Sequence, residues 1–128
     1  MTSHTSFTFR REPETVRVAR GVLDAFNGHF PTGRLHDASL CLTELVSNAV
    51  RHPSAAGDLD LTLALEEDRL RVEVADPGSG FELGSGPTRG GEGGWGLYIV
   101  ENLADEWGIE AGERTVVWFE ILRAPRIN

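Results

Sequence analysis

Lysine is absent from this sequence, and all twelve basic residues are arginine. A catalytic or phosphate-binding lysine is therefore excluded, and with it the P-loop, whose lysine reaches the nucleotide phosphates. Cysteine is nearly absent too. The single Cys41 permits neither an internal disulfide nor a cysteine-cluster metal site, and its place in an apolar helical pattern makes it a small core residue. No apolar run approaches the ~20 residues needed to span a bilayer. Met1 to Arg11 is polar and lacks the apolar core of a signal peptide, so the expected location is cytoplasmic, with no membrane contact. Positive charge is also in deficit. A net charge of −8 argues against direct nucleic-acid binding, which needs a basic surface, but leaves room for a local basic patch that meets a phosphate or an acidic partner. What remains is enough for a core. Hydrophobic residues make up 40% of 128 positions, a length that suits one domain spanning residues 1–128.

Phe7 and Phe9 alternate with polar neighbours between Ser6 and Arg11, which predicts a short strand. Pro13 suits a first helical position, and Val16, Ala19, Leu23 and Phe26 recur at helical spacing up to Gly28. Thr32 is placed to cap a second helix over about Gly33 to His52, with Leu35, Ala38, Leu42, Leu45, Val46 and Ala49 as its buried stripe. Pro53 ends it, because the residue before proline is pushed out of the helical region. Leu59, Leu61, Leu63 and Leu65 alternate as one strand. Leu70, Val72 and Val74 alternate as the next, across a hairpin turn at Glu67-Asp68. Asp76 to Gly80 is expected to break that strand. Seven glycines between Gly84 and Gly96 predict a mobile loop. A short helix from Gly96 to Asp105 follows, then strands over Trp107 to Ala111 and Thr115 to Leu122. The order predicts an α+β fold of two layers: a mixed, mostly antiparallel sheet covered on one face by helices.

Three clusters in this frame carry chemistry. Glu44, Asn48 and His52 are spaced by four and line one strip of the second helix. Asn48 offers a neutral oxygen to a hard cation, and Glu44 can orient or deprotonate a hydroxyl; the same strip alone would suit a solvated helix face. Asp76-Pro77-Gly78-Ser79-Gly80 follows a strand. A carboxylate there can accept a hydrogen bond from an exocyclic amine, and glycines let the backbone approach a flat ring, although these residues also make ordinary turns. Gly93-Gly94-Trp95-Gly96-Leu97 ends a flexible loop and opens a helix, where free N–H groups bind phosphate; a plain flexible loop reads the same way.

The joint pattern is more specific than its parts. Glu44-x-x-x-Asn48-Ala49-x-x-His52, Asp76-x-Gly78-x-Gly80 and Gly94-x-Gly96-Leu97, in this order, resemble the N box and the two glycine boxes of the GHKL ATPase superfamily. Thr115 resembles its late-strand threonine, and the resemblance extends from the first strand to Ile121. It implies the Bergerat ATP-binding fold with ATP and Mg²⁺ as cofactors. By the same resemblance Asn48 coordinates Mg²⁺, Glu44 is the general base and Asp76 receives the adenine amino group. Gly78 and Gly80 complete the adenine box, while Gly94, Gly96 and Leu97 belong to the phosphate-holding box. His52 matches a histidine with a structural role in small members.

A free-standing domain with a short strand and one helix before the N box is similar to the anti-sigma factor serine-protein kinases. Neither a gyrase-type transducer nor a phosphoacceptor helix is expected within these 128 residues. Such kinases are homodimers that bind a sigma factor and phosphorylate a serine on an anti-anti-sigma antagonist of the STAS type. An arginine on their first helix meets the partners, and Arg20 matches that place, with Arg17 as a weaker candidate. The sequence departs from some kinases in its short lid, which lacks their Thr-Lys stretch. Pro87-Thr88-Arg89 is the nearest echo, and Arg89 could serve as the phosphate-neutralising cation. Two alternatives follow: a nucleotide-dependent binding module with little or no kinase activity, and a domain detached from a histidine kinase.

Overall fold

The structure, a computed structural model, describes residues 3–51, 57–77 and 95–124. In chain order the elements are β1 (Ser3–Phe9), α1 (Pro13–Val22) continued by a 3₁₀ turn (Leu23–Phe26), α2 (Thr32–Arg51), β2 (Leu59–Leu65) and β3 (Arg69–Pro77). Then come α3 (Trp95–Leu103), β4 (Glu106–Glu110) and β5 (Arg114–Leu122). The strands form one sheet in the order β1-β2-β3-β5-β4. All four pairings are antiparallel, so among the described residues the expected mixed sheet contains no parallel pair.

The period-two pattern decides which face is buried. Leu59, Leu61 and Leu63 of β2, Leu70, Val72 and Val74 of β3, and Val117, Phe119 and Ile121 of β5 are all inside, with Phe119 and Ile121 fully buried. On β1, Phe7 and Phe9 register against Leu61 and Leu59, and their rings stack at 6.0 Å. The helices cover this face. α2 crosses β3 and β5 and is flanked by α1 and α3. Its stripe of Leu35, Ala38, Cys41, Leu42, Leu45, Val46 and Ala49 is buried. Such a stripe stabilises by roughly 25 cal/mol per Å² of apolar surface withdrawn from water.

Several boundaries differ from those expected: β1 runs over Ser3–Phe9 in place of Ser6 to Arg11, and α3 over Trp95–Leu103 in place of Gly96 to Asp105. The first helix tightens to 3₁₀ geometry after Val22. Thr32 is itself helical, and the Pro31 carbonyl accepts the Leu35 N–H at 2.9 Å, which puts the cap position one residue earlier. Most consequential, β3 does not stop at Asp76. It runs through Pro77, with Asp76 opposite Thr115 and Pro77 opposite Arg114 on β5. Proline lacks an N–H for the ladder, and the end of a strand is where that loss is tolerated.

The outer face of the sheet is polar. Glu120 bridges Arg69 (3.0 Å) and Arg71 (3.1 Å), and the Arg71 guanidinium lies 4.2 Å from the centre of the Trp118 ring. At the far edge Arg34 ties α2 to the sheet, donating to the Leu122 carbonyl at 2.9 Å and to Asp105 at 2.5 Å.

Candidate functional site

The extension of β3 builds the site. Residues 70, 72 and 74 face the helix layer, so residue 76 faces it too, and at 76 the sequence has a carboxylate. Asp76 is 4% exposed, and its cross-strand neighbour Thr115 is 3% exposed. Above them lies the second half of α2. Leu45, Asn48 and Ala49 close a cavity with Val74, Asp76, Thr115 and Val117. Its volume is about 10 Å³, the size of one water molecule. Helical spacing and strand alternation thus bring three expected site residues, Asn48, Asp76 and Thr115, to the same point.

Two polar atoms there have no hydrogen-bond partner among the described residues: Asp76 Oδ2 and Asn48 Nδ2, both buried. Leaving a buried polar atom unmatched costs on the order of 1–3 kcal/mol, more if it is charged, so such atoms mark places where a ligand can repay the cost. The other oxygen of Asp76 is engaged. Arg11 Nη2 donates to Asp76 Oδ1, Arg11 Nη1 to the Ala49 carbonyl, and Arg11 Nε to the Gly57 carbonyl at 3.0 Å. Reading the sequence alone overlooks Arg11. The one available signal is indirect: a carboxylate at an inward strand position calls for a hydrogen-bond donor or a cation from elsewhere in the chain.

Asn48 Oδ1 accepts from Arg51 Nη2 at 2.7 Å, so the oxygen assigned to a cation is held by a guanidinium one turn on. Glu44 is half-buried on α2, one turn before Asn48, and does not line the cavity. Gly96 lies in the first turn of α3. The Leu97 side chain is 1% exposed and packs in the core, so it anchors the start of that helix. His52, Gly78, Gly80, Arg89 and Gly94 lie outside the described residues, as does most of the expected mobile loop. Among the described residues no three His, Cys, Asp or Glu side chains gather to hold a metal ion.

The model of the histidine kinase-like ATPase domain matches residues 9–121. The chain belongs to the histidine kinase-like ATPase domain family. An ATPase domain implies a site for ATP, and the partnerless Asp76 Oδ2 is an acceptor of the kind an exocyclic amine requires. Relatives within the family carry the name Serine-protein kinase RsbW. That of Bacillus velezensis is 29% identical over 135 positions, covering 91% of this chain and 84% of the relative. That of Bacillus licheniformis is 31% identical over 112 positions, covering 74% and 70%. A Listeria monocytogenes relative is 29% identical over 124 positions, covering 82% and 79%. Among solved structures, the RsbU and RsbW domains of a Mycobacterium tuberculosis protein superpose with a TM-score of 0.71 at 22% identity. That likeness covers 98% of this chain but about a third (34%) of the neighbour's, and it is a likeness of fold.

A second concavity sits elsewhere on this ATPase-family domain. Arg17, Arg20 and Asp24 on one side, and Thr32, His36 and Ser39 of α2 on the other, line a groove of about 500 Å³. It shares no residue with the cavity around Asp76. Arg17 and Arg20 are both exposed. No helix among the described residues is long and apolar enough to cross a membrane.

Proposed function

We propose that this chain is an ATP-dependent serine-protein kinase and anti-sigma factor, one that sequesters a sigma factor and phosphorylates a serine on a STAS-type anti-anti-sigma antagonist. The observation that carries the reading is the buried, partnerless oxygen of Asp76 beside Asn48 and Thr115, in a family whose relatives are named as serine-protein kinases. In this reading Asp76 accepts the adenine amine and Thr115 supports it from the next strand. The helix start at Gly96, with Gly94, Gly78, Gly80 and Arg89, serves the rest of the nucleotide. Glu44 takes the proton of the incoming serine hydroxyl as that oxygen bonds to the γ-phosphorus and ADP leaves. Asn48 would hold Mg²⁺ by its amide oxygen once Arg51 releases it, and the ion would offset phosphate charge. Arg20, in the groove away from Asp76, meets the protein partners of a homodimer.

Two substitutions test the reading. Asp76→Asn is expected to weaken ATP binding about tenfold or more by calorimetry, because a charge-assisted acceptor is lost; equal affinities would remove the adenine assignment. Glu44→Ala is expected to bind ATP normally but to transfer label from γ-³²P-ATP to an antagonist protein about 10²–10⁴-fold more slowly. Transfer at the wild-type rate would reduce Glu44 to a surface residue. Tight ATP binding by the wild type with no transfer to any STAS-type protein would favour the nucleotide-dependent binding module.

A further inference from the structure

Arg11 is 11% exposed and Asp76 6% exposed at the side chain, and the three nitrogens of the guanidinium go to three different segments. Nε reaches the Gly57 carbonyl ahead of β2, Nη1 the Ala49 carbonyl on α2, and Nη2 the Asp76 carboxylate on β3. The backbone that presents Arg11 is itself held. Glu12 N–H donates to the Arg10 carbonyl at 3.0 Å, and the buried Thr15 hydroxyl donates to the same carbonyl at 2.5 Å. On the receiving side Gly57 adopts φ of 89°, a conformation that L side chains rarely take.

The division of donors matters. Arginine commonly meets a carboxylate with two parallel bonds, which would take one lone pair from each oxygen. Here Nη1 is committed to Ala49, so the guanidinium engages Oδ1 alone and Oδ2 keeps its lone pairs. The pair therefore offsets a buried charge while leaving one oxygen wholly open to accept. An amine brought to Oδ2 completes it. An oxo group brought there sets two acceptors face to face, which a buried site rejects strongly.

We propose that Arg11 is a positioning residue for base recognition: by clamping Asp76 through Oδ1 alone, it makes Oδ2 the acceptor that selects purines with an exocyclic amine over those with an oxo group. The proposal deepens the assignment of Asp76 above and rests on it. The test is calorimetric titration of the full chain with ATP and with inosine triphosphate, which carries oxo in place of the amine. Wild type is expected to favour ATP. Arg11→Met is expected to lower the ATP-to-ITP affinity ratio on the order of tenfold, almost wholly through ATP, and Arg11→Lys, which returns a cation to Oδ1, to restore it in part. If the Met variant does not fold by circular dichroism, Arg11→Gln, also uncharged, takes its place with the same expectation. One result overturns the proposal: an Arg11→Met ratio equal to wild type, which, if both affinities fall together, would make Arg11 a brace of the fold. Asp76→Asn in the same series separates the two ideas. If Asp76→Asn keeps the wild-type ratio, the adenine assignment falls and the proposal with it. If Asp76→Asn loses the ratio and Arg11→Met keeps it, the assignment stands and the role of Arg11 falls.

Discussion

Cys41 sits fully buried on α2, and burial pushes its thiol up to about 12 from an ordinary 9.0, with the nearby carboxylates of Asp37 and Glu44 acting in the same direction. Because the folded value is the higher, the native state holds the proton that the unfolded state releases between about pH 9 and 12. Stability is therefore unaffected below pH 9 and falls above it, by at most about 1.4 kcal/mol per pH unit. Urea unfolding of wild type and Cys41→Ala from pH 8 to 10.5 is expected to show a steeper alkaline loss for wild type; parallel curves would count against a buried thiol. The thiol should also resist alkylation at pH 8 until the chain unfolds. The burial of Cys41 was legible from its place in an apolar helical stripe. The Arg11–Asp76 pair was not, because its partners are 65 residues apart and neither position carries a local signal of the other.

At the scale of elements, β4 and β5 show how a glycine can matter without any turn. Gly108 stands opposite Trp118, and a Cβ placed there would lie 2.9 Å from the indole ring. The ring is held on its other contact by Arg71. Gly108→Ala should force the indole to move and weaken the stacked cation, with an expected loss of about 1 kcal/mol and a drop of a few degrees in Tm. Tryptophan emission should shift with it while ATP affinity stays at the wild-type value, since this face is opposite the helices. Unchanged melting and emission would show that the ring adjusts freely. Strand identities were legible here from alternation alone. The continuation of β3 through Pro77 was not: a strand end is set by what lies beside it, and β5 supplies that partner from nearly forty residues downstream.

The whole molecule carries a charge of −8, yet the groove between α1 and α2 presents Arg17 and Arg20 to solvent. A local excess of positive charge on an acidic body suits an acidic partner and discourages indiscriminate contacts. Arg20→Glu is accordingly expected to abolish capture of a sigma factor or antagonist in a pull-down while leaving ATP affinity unchanged, because groove and cavity share no residue. Loss of both would assign Arg20 to the fold or the nucleotide site. Loss of neither would send the partner to another surface.

By itself the sequence determined the elements and the family. Periodicity is a local property, and the boxes around Glu44 and Asn48, Asp76, and Gly94 and Gly96 are short enough to be read without knowing their neighbours. Only the tertiary structure decided that Asp76 lies across from Thr115 under Asn48, that β5 enters the sheet between β3 and β4, and that one arginine from the β1–α1 junction closes on the site. Those outcomes depend on which strand finds which edge and which cation is nearest a carboxylate that burial has cut off from water. Such choices are settled by the free energy of the packed chain as a whole and by no single stretch of it.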